Sequence, residues 1–191
     1  MHVELLTYTP EPEQVVAAAA RLCYSDASIS DLMEKSRTDR QAFLEKITSL
    51  GHLSVFEHVS FSFGVEGISR ACSHQLVRHR LASFSQQSQR YVSHQQRFSA
   101  VIPETIAEQP ELQERYQALL DQVHSFYVEL LEAGIPAEDA RFVLPNAATT
   151  KIVITMNGRE LLHFFSLRCC RRAQWEIQDM AKRMLTLIKP L

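Results

Sequence analysis

Residues 67–103, GISRACSHQLVRHRLASFSQQSQRYVSHQQRFSAVIP, hold no Asp, Glu or Lys, yet they contain five arginines: Arg70, Arg78, Arg80, Arg90 and Arg97. The whole chain stands at −2, so with +5 gathered here the remainder carries −7. Gln and Ser fill most of the other polar positions, and His74, His79 and His94 sit among them. Gln and Ser hydrogen-bond without adding charge. Arg suits anion binding because its planar fork matches phosphate or carboxylate oxygens two at a time. The first reading is a site for a small anionic, ring-bearing ligand.

Glycine usage narrows how such a ligand could be held. The five glycines, Gly51, Gly64, Gly67, Gly134 and Gly158, form neither G-x-G-x-x-G nor G-x-x-x-x-G-K-[ST]. Neither backbone phosphate cradle is available, so side chains must do much of any phosphate binding.

At 191 residues the chain is expected to form a single domain, 1–191, with a real core. A pI near 6.4 argues against general nucleic-acid coating. No apolar run approaches the roughly 20 residues of a membrane span. MHVELLTYTP lacks the charged start and apolar centre of a secretory signal. The expectation is a cytoplasmic enzyme or binding protein without a membrane partner.

Element signals follow in order. HVELLTY (2–8) predicts a strand, and Pro12 opens an Ala-rich helix. Residues 25–31 predict a connection. Residues 39–50 predict a helix with Phe43, Ile47 and Leu50 on one stripe and Gly51 as its cap. V-S-F-S-F-G-V from Val59 alternates as a half-buried strand does. Residues 69–79 predict a helix with Gln75, Arg78 and His79 on one face. The Ser/Gln-rich segment after it predicts an ordered loop or irregular strand anchored by Tyr91 and Phe98. A short element lies between Pro103 and Pro110. A helix over about 110–133 carries Leu112, Tyr116, Leu119, Val123, Phe126 and Leu130, and Gly134 ends it. Pro136 opens a short helix, 149–156 predicts a strand, Asn157–Gly158 a turn or helix start, and two helical segments follow. Strands with long intervening helices give an α+β, or mixed α/β, domain.

Arg159, Arg168, Arg171 and Arg172 form a second basic cluster with Glu160 as its acid, and Arg159 and His163 share a helix face. Solvation, or a weak ion pair contributing under about 1 kcal/mol, accounts for Arg21, Arg171 and Arg172. It accounts less well for Arg78, Arg80 and Arg90, which lack a nearby acid in sequence. No metal site is expected: His52 and His58 flank Glu57, but H-E-x-x-H is absent. Ser88 lacks the G-x-S-x-G setting of a nucleophile and reads as a hydrogen-bonding serine. Cys23, Cys72, Cys169 and Cys170 make no C-x-x-C pair, no P-C-x-x-C of a zinc deaminase, and no activated thiolate.

Arg78-His79-Arg80, then seven residues, then Ser88 match R-H-R-x7-S, which resembles the flavin-dependent thymidylate synthases (the ThyX family). GHLSVFEHVSFSF, EDARFVLP and NGRELLHFFSLRCCRRAQWEIQ resemble the same family, so nearly the whole chain is covered. The resemblance implies a central mixed sheet flanked by helices. It implies a homotetramer holding FAD and substrate where subunits meet. The implied reaction methylates dUMP to dTMP, with 5,10-methylenetetrahydrofolate giving the carbon, NADPH reducing the flavin, and tetrahydrofolate leaving. No enzyme nucleophile and no stable nucleic-acid partner are needed.

By the same resemblance, Ser54, Arg78, His79, Arg80, Gln86, Asn157, Gly158, Arg159 and His163 are expected at FAD. Gln75, Leu76, Val77, Arg78, Gln86, Gln87, Ser88, Gln89, Arg90, Arg141 and Arg168 are expected at dUMP. Arg168 is the expected catalytic residue, similar to the arginine that favours ionisation at uracil N3. Some members have Glu in place of Gln86 and Asn in place of His163, and many carry a longer tail. The competing expectation is a non-catalytic binder of nucleotides or single-stranded nucleic acid through the Arg/Gln/aromatic loop.

Overall fold

A computed structural model describes residues 1–38, 40–93 and 97–191. The helix start expected at Asp39, and the part of the expected loop that includes His94, lie outside the described residues.

Strand β1 (His2–Tyr8) leads to helix α1 (Pro12–Leu22), with Pro12 in its first turn where a missing N–H costs nothing. The expected connection at 25–31 is partly helical. Ser28 caps α2 (Ile29–Lys35): its Oγ accepts from the Asp31 N–H at 3.2 Å and donates to the Asp31 carboxylate at 2.6 Å. S-x-x-D is the capping-box spacing, and it outweighs the short run of polar residues around it. Helix α3 (Arg40–Ser49) buries Ile47, and Gly51 follows at φ +74°. Leu50 is exposed, off the expected stripe, because the helix has already ended.

Strand β2 (Ser60–Ser69) buries Phe61, Phe63 and Val65 in alternation. The expected helix over 69–79 is shorter: α4 spans Arg70–Leu76. Arg78 is exposed and His79 buried, so the two do not share a helix face with Gln75. Seven residues of helix contribute little stability alone, and a tertiary partner for His79, described below, fixes the chain beyond Leu76. Ser83–Gln86 form β3.

Helix α5 (Glu104–Ala107) sits between the two prolines, and α6 (Pro110–Glu132) ends just before Gly134 at φ +84°. The buried residues of α6 are Leu120 and Tyr127, with Tyr116 and Val123 partly buried, whereas Leu112, Leu119 and Phe126 are exposed. The buried face is therefore rotated by one residue from the expected stripe. Helix α7 (Ala137–Ala140) runs into a 3-10 turn at Arg141–Val143. Strand β4 (Thr149–Asn157), α8 (Gly158–Arg168) and α9 (Trp175–Ile188) complete the order.

The sheet order is β1-β2-β4-β3, and the sheet is antiparallel rather than mixed. The Gly158 N–H donates to the Val59 carbonyl, and the Arg70 N–H donates to the Ala148 carbonyl, so β2 and β4 run in opposite directions. Antiparallel neighbours need no helical crossover to return the chain.

Two compact units are present. One comprises Met1–His2, Val65–Leu76 and Ser85–Ile152; the other comprises Val3–Gly64, Val77–Phe84 and Val153–Leu191. The first has a core cluster of Phe98, Leu120 and Ala148, flanked by Ala100, Tyr116, Val123 and Leu144. The second buries Val16, Phe63, Phe164, Ile177, Met180 and Met184 almost completely. Each such side chain contributes roughly 1.5–3 kcal/mol on burial. Among the described residues no helix is long and apolar enough to cross a membrane.

Candidate active-site residues

In the second unit the candidate residues come from three places: the 3-10 turn Ser54–His58, the segment after α4, and α8. Asn157 caps α8, its side-chain oxygen accepting from the Glu160 N–H at 2.8 Å. Gly158 follows because nothing larger fits: a Cβ there would lie 2.7 Å from the Phe56 carbonyl oxygen and 2.9 Å from Val59 Cγ2. The α8 N-terminus is thus pressed against the 3-10 turn that carries Ser54. Arg159 pairs with Glu57 of the same turn at 2.5 Å. Ser54, Arg159 and His163 are exposed.

His79 is buried and connects two residues of α8. Its Nδ1 lies 3.0 Å from Glu160 Oε1, and its Nε2 accepts from Arg168 Nε at 3.0 Å. An Nε2 that accepts must carry the lone pair, so the proton sits on Nδ1 and is donated to the carboxylate. Burial is the largest cause holding His79 below its ordinary pKa of 6.5. The Glu160 hydrogen bond opposes it, while Arg168 and His163 add to the lowering. The ring is therefore neutral at neutral pH. Arg78 and Arg80, on either side, are exposed and make no ion pair among the described residues.

In the first unit the candidates are Gln75 and Leu76 of α4, Gln86–Arg90, and Arg141. Leu76 is fully buried. The Gln86 amide donates to Ser73 Oγ at 2.9 Å and to Thr150 Oγ1 at 3.2 Å. The Gln87 N–H donates to the Lys151 carbonyl, which ties the start of the loop to β4. Ser88 Oγ accepts from the Arg90 N–H at 3.1 Å, and the Ser88 carbonyl accepts from the Val92 N–H. Ser88 and Arg90 are thereby held in one turn. Arg90 Nε donates to the Glu138 carboxylate at 2.8 Å, and Arg141 Nε to the Glu138 carbonyl at 3.0 Å. Burial, and then the charge of Arg141, lower the pKa of Arg70. Arg70 and Arg141 are thus close enough to feel each other's charge, while Arg90 is paired with Glu138.

Glu160, Glu138 and Arg70 were not candidates from sequence. Glu160 was visible only as the acid of a basic cluster. Glu138 lies 48 residues from Arg90, and nothing in the local pattern joins them. Arg70 belonged to the acid-free stretch without a role. Val77 is exposed. Among the cysteines, Cys72 is buried and burial pushes the Cys169 thiol up, the opposite of what an activated thiolate needs.

A family model described as thymidylate synthase complementing protein matches residues 4–191. A flavin-dependent thymidylate synthase from Geobacter sulfurreducens is 56% identical over 191 residues, covering 99% of this chain and 82% of the relative. A protein of the same name from Nitratidesulfovibrio vulgaris is 50% identical, covering 98% of this chain and 82% of its own. Another, from Thermococcus onnurineus, is 46% identical, covering 96% and 76%. The chain belongs to the thymidylate synthase complementing protein family, together with relatives named flavin-dependent thymidylate synthase.

Proposed function

We propose that the chain is a flavin-dependent thymidylate synthase that converts dUMP to dTMP. 5,10-Methylenetetrahydrofolate supplies the carbon, NADPH the reducing equivalents, and tetrahydrofolate leaves. The observation that carries this reading is the family match over 4–191, which spans both compact units and supports treating them as one functional domain.

The donor set fits FAD. Arg78 and Arg80 are exposed guanidinium groups without an ion pair among the described residues, as a diphosphate requires. Ser54, Arg159, His163 and Gln86 would complete the contacts. The Asn157 and His79 side chains and the Gly158 N–H are already bonded within the protein, so these three residues would shape the FAD wall rather than add a free donor. Bound FAD would supply the redox chemistry linking NADPH to the one-carbon unit.

For dUMP, Arg90, Arg141 and Ser88 suit the phosphate, and Gln75, Val77, Arg78, Gln86, Gln87 and Gln89 would surround the nucleoside, with the fully buried Leu76 anchoring the segment beneath them. Arg168 would act on the pyrimidine. A cation fixed beside N3 stabilises the anion that makes C5 nucleophilic, and it is effective because it is already oriented. No step needs an enzyme thiol.

The protein is read further as a cytoplasmic homotetramer with shared sites. Leu112, Leu119 and Phe126 support the association between copies alone: they recur every seven residues on α6 and are 43%, 55% and 49% exposed.

The visible spectrum of the purified protein tests the reading. A yellow protein whose flavin bleaches with NADPH, faster with dUMP present, is expected. A colourless protein that takes up no FAD, or tight oligonucleotide binding without flavin, would overturn it.

A further inference from the structure

Glu160, Phe164 and Arg168 stand at i, i+4 and i+8 on α8, so they form one ridge along the helix. The His79 imidazole lies along this ridge. Its Nδ1 meets Glu160 in the first turn, its edge meets Phe164 at a centroid distance of 5.0 Å and 73°, and its Nε2 meets Arg168 in the last turn. We propose that Glu160 and His79 are positioning residues for Arg168, the carboxylate selecting the imidazole tautomer and the imidazole fixing the guanidinium plane through Nε. The proposal rests on the reading of Arg168 as the residue that acts on the pyrimidine.

Each link has a chemical reason. A neutral imidazole has one N–H and one lone pair. An ionised Glu160 has no proton to give and can only accept from Nδ1, which places the proton there and leaves Nε2 open to Arg168. The reverse tautomer would set an N–H against an N–H. Glu160 is itself held by the helix start, its backbone N–H bonded to Asn157 Oδ1. Both the Glu160 and His79 side chains are about 4% exposed, so water does not compete for either contact. Arginine has a long, flexible stem. A bond at Nε removes rotation about the last part of that stem, and so sets where both Nη groups point. Small misplacements of a catalytic group cost rate rather than binding.

Two side chains that merely satisfied each other in the core would also look buried and paired. A purely structural role, however, predicts that Arg168 keeps its orientation without them. The acid limb of turnover separates the two. Protonated His79 cannot accept from Arg168, and Glu160, His163 and Arg168 of α8 are the titratable groups that bear on it.

The test uses the holoenzyme with Glu160→Gln and His79→Gln, together with ring nitrogen NMR of wild-type protein labelled at histidine. His79 is expected neutral with its proton on Nδ1 at pH 7.5; a proton on Nε2, or an imidazolium, would overturn the proposal. That measurement needs no activity, so it stands even if the wild type makes no dTMP, a result that would instead defeat the functional reading. Both variants are expected to keep their FAD, to hold KM for dUMP within about three-fold, and to lose turnover by about 10- to 100-fold. In Glu160→Gln the acid limb of kcat moves to lower pH, because the carboxylate that raises the proton affinity of His79 is gone. Should Glu160→Gln not fold, His79→Gln carries the kinetic arm. Turnover within two-fold of wild type, or a loss matched by lost flavin, would overturn the proposal.

Discussion

Gly158 and Phe56 meet so closely that a single methyl group would not fit between them: a Cβ on Gly158 would stand 2.7 Å from the Phe56 carbonyl oxygen. The neighbour is backbone, so it cannot swing aside. The contact sets where α8 begins, and α8 carries Glu160, His163 and Arg168. Gly158→Ala is expected to destabilise the protein by about 1–3 kcal/mol, the range for overpacking. At this chain length that is a fall in Tm of roughly 2–4 °C per kcal/mol. Calorimetry of the variant decides it; an unchanged Tm would show that the turn yields.

Asn157 provides a second check on the same helix start. Its side chain caps the Glu160 N–H, and loss of such a cap costs about 1 kcal/mol. Asn157→Ala should lose about that much in urea unfolding, and Asn157→Asp, which can still accept, should lose little. Equal losses in both would assign the effect to something other than the cap.

His79 gives stability a pH dependence. Its folded pKa lies below 6.5, chiefly from burial, while the unfolded chain takes up the proton near 6.5. The unfolded state therefore binds more protons just below that pH, so stability falls as pH drops from 6.5 through the folded value. Above 6.5 this contribution is fully present. One proton sets the slope at no more than about 1.4 kcal/mol per pH unit. Urea unfolding between pH 5 and 8 should show this slope in the wild type and its loss in His79→Gln. The same slope in both would contradict it.

Arg168→Ala should retain flavin yet lose most turnover, and excess FAD should not restore it. Removal of this charge also takes away one cause of the lowered His79 pKa, so His79 should titrate closer to its ordinary value in the variant. Absorbance at the flavin band, turnover and a histidine titration read the three effects separately.

Leu119→Glu with Phe126→Glu places two charges on the exposed apolar face of α6. Light scattering should give four times the 21.9 kDa chain for the wild type and less for the double variant, with helix content unchanged. A tetramer that survives both charges would remove this face from the interface.

Local signals carried much of the fold. Pro12, the alternation through Phe61 and Phe63, the caps at Gly51 and Gly134, and the Asn157–Gly158 helix start all stand where short-range chemistry put them. The departures of α4 and α6 from local expectation share one cause. The α6 pattern of threes and fours fits two neighbouring faces, and only packing against Phe98 and Ala148 selects the one with Leu120. Helix propensity would continue α4 past Leu76, but the buried partner of His79 lies 81 residues away. The site divides likewise. Cations were legible because the stretch around them lacks acids. Their partners, Glu160 and Glu138, were not, because a tertiary contact leaves no mark in local spacing. The antiparallel sheet also corrected the expected mixed one.

The most direct test of the central claim is the product analysis of a single reaction. Purified protein with FAD, NADPH, 5,10-methylenetetrahydrofolate and dUMP should form dTMP and tetrahydrofolate in equal amounts, with NADPH consumed in step. Absence of dTMP, or dihydrofolate in place of tetrahydrofolate, would contradict the account.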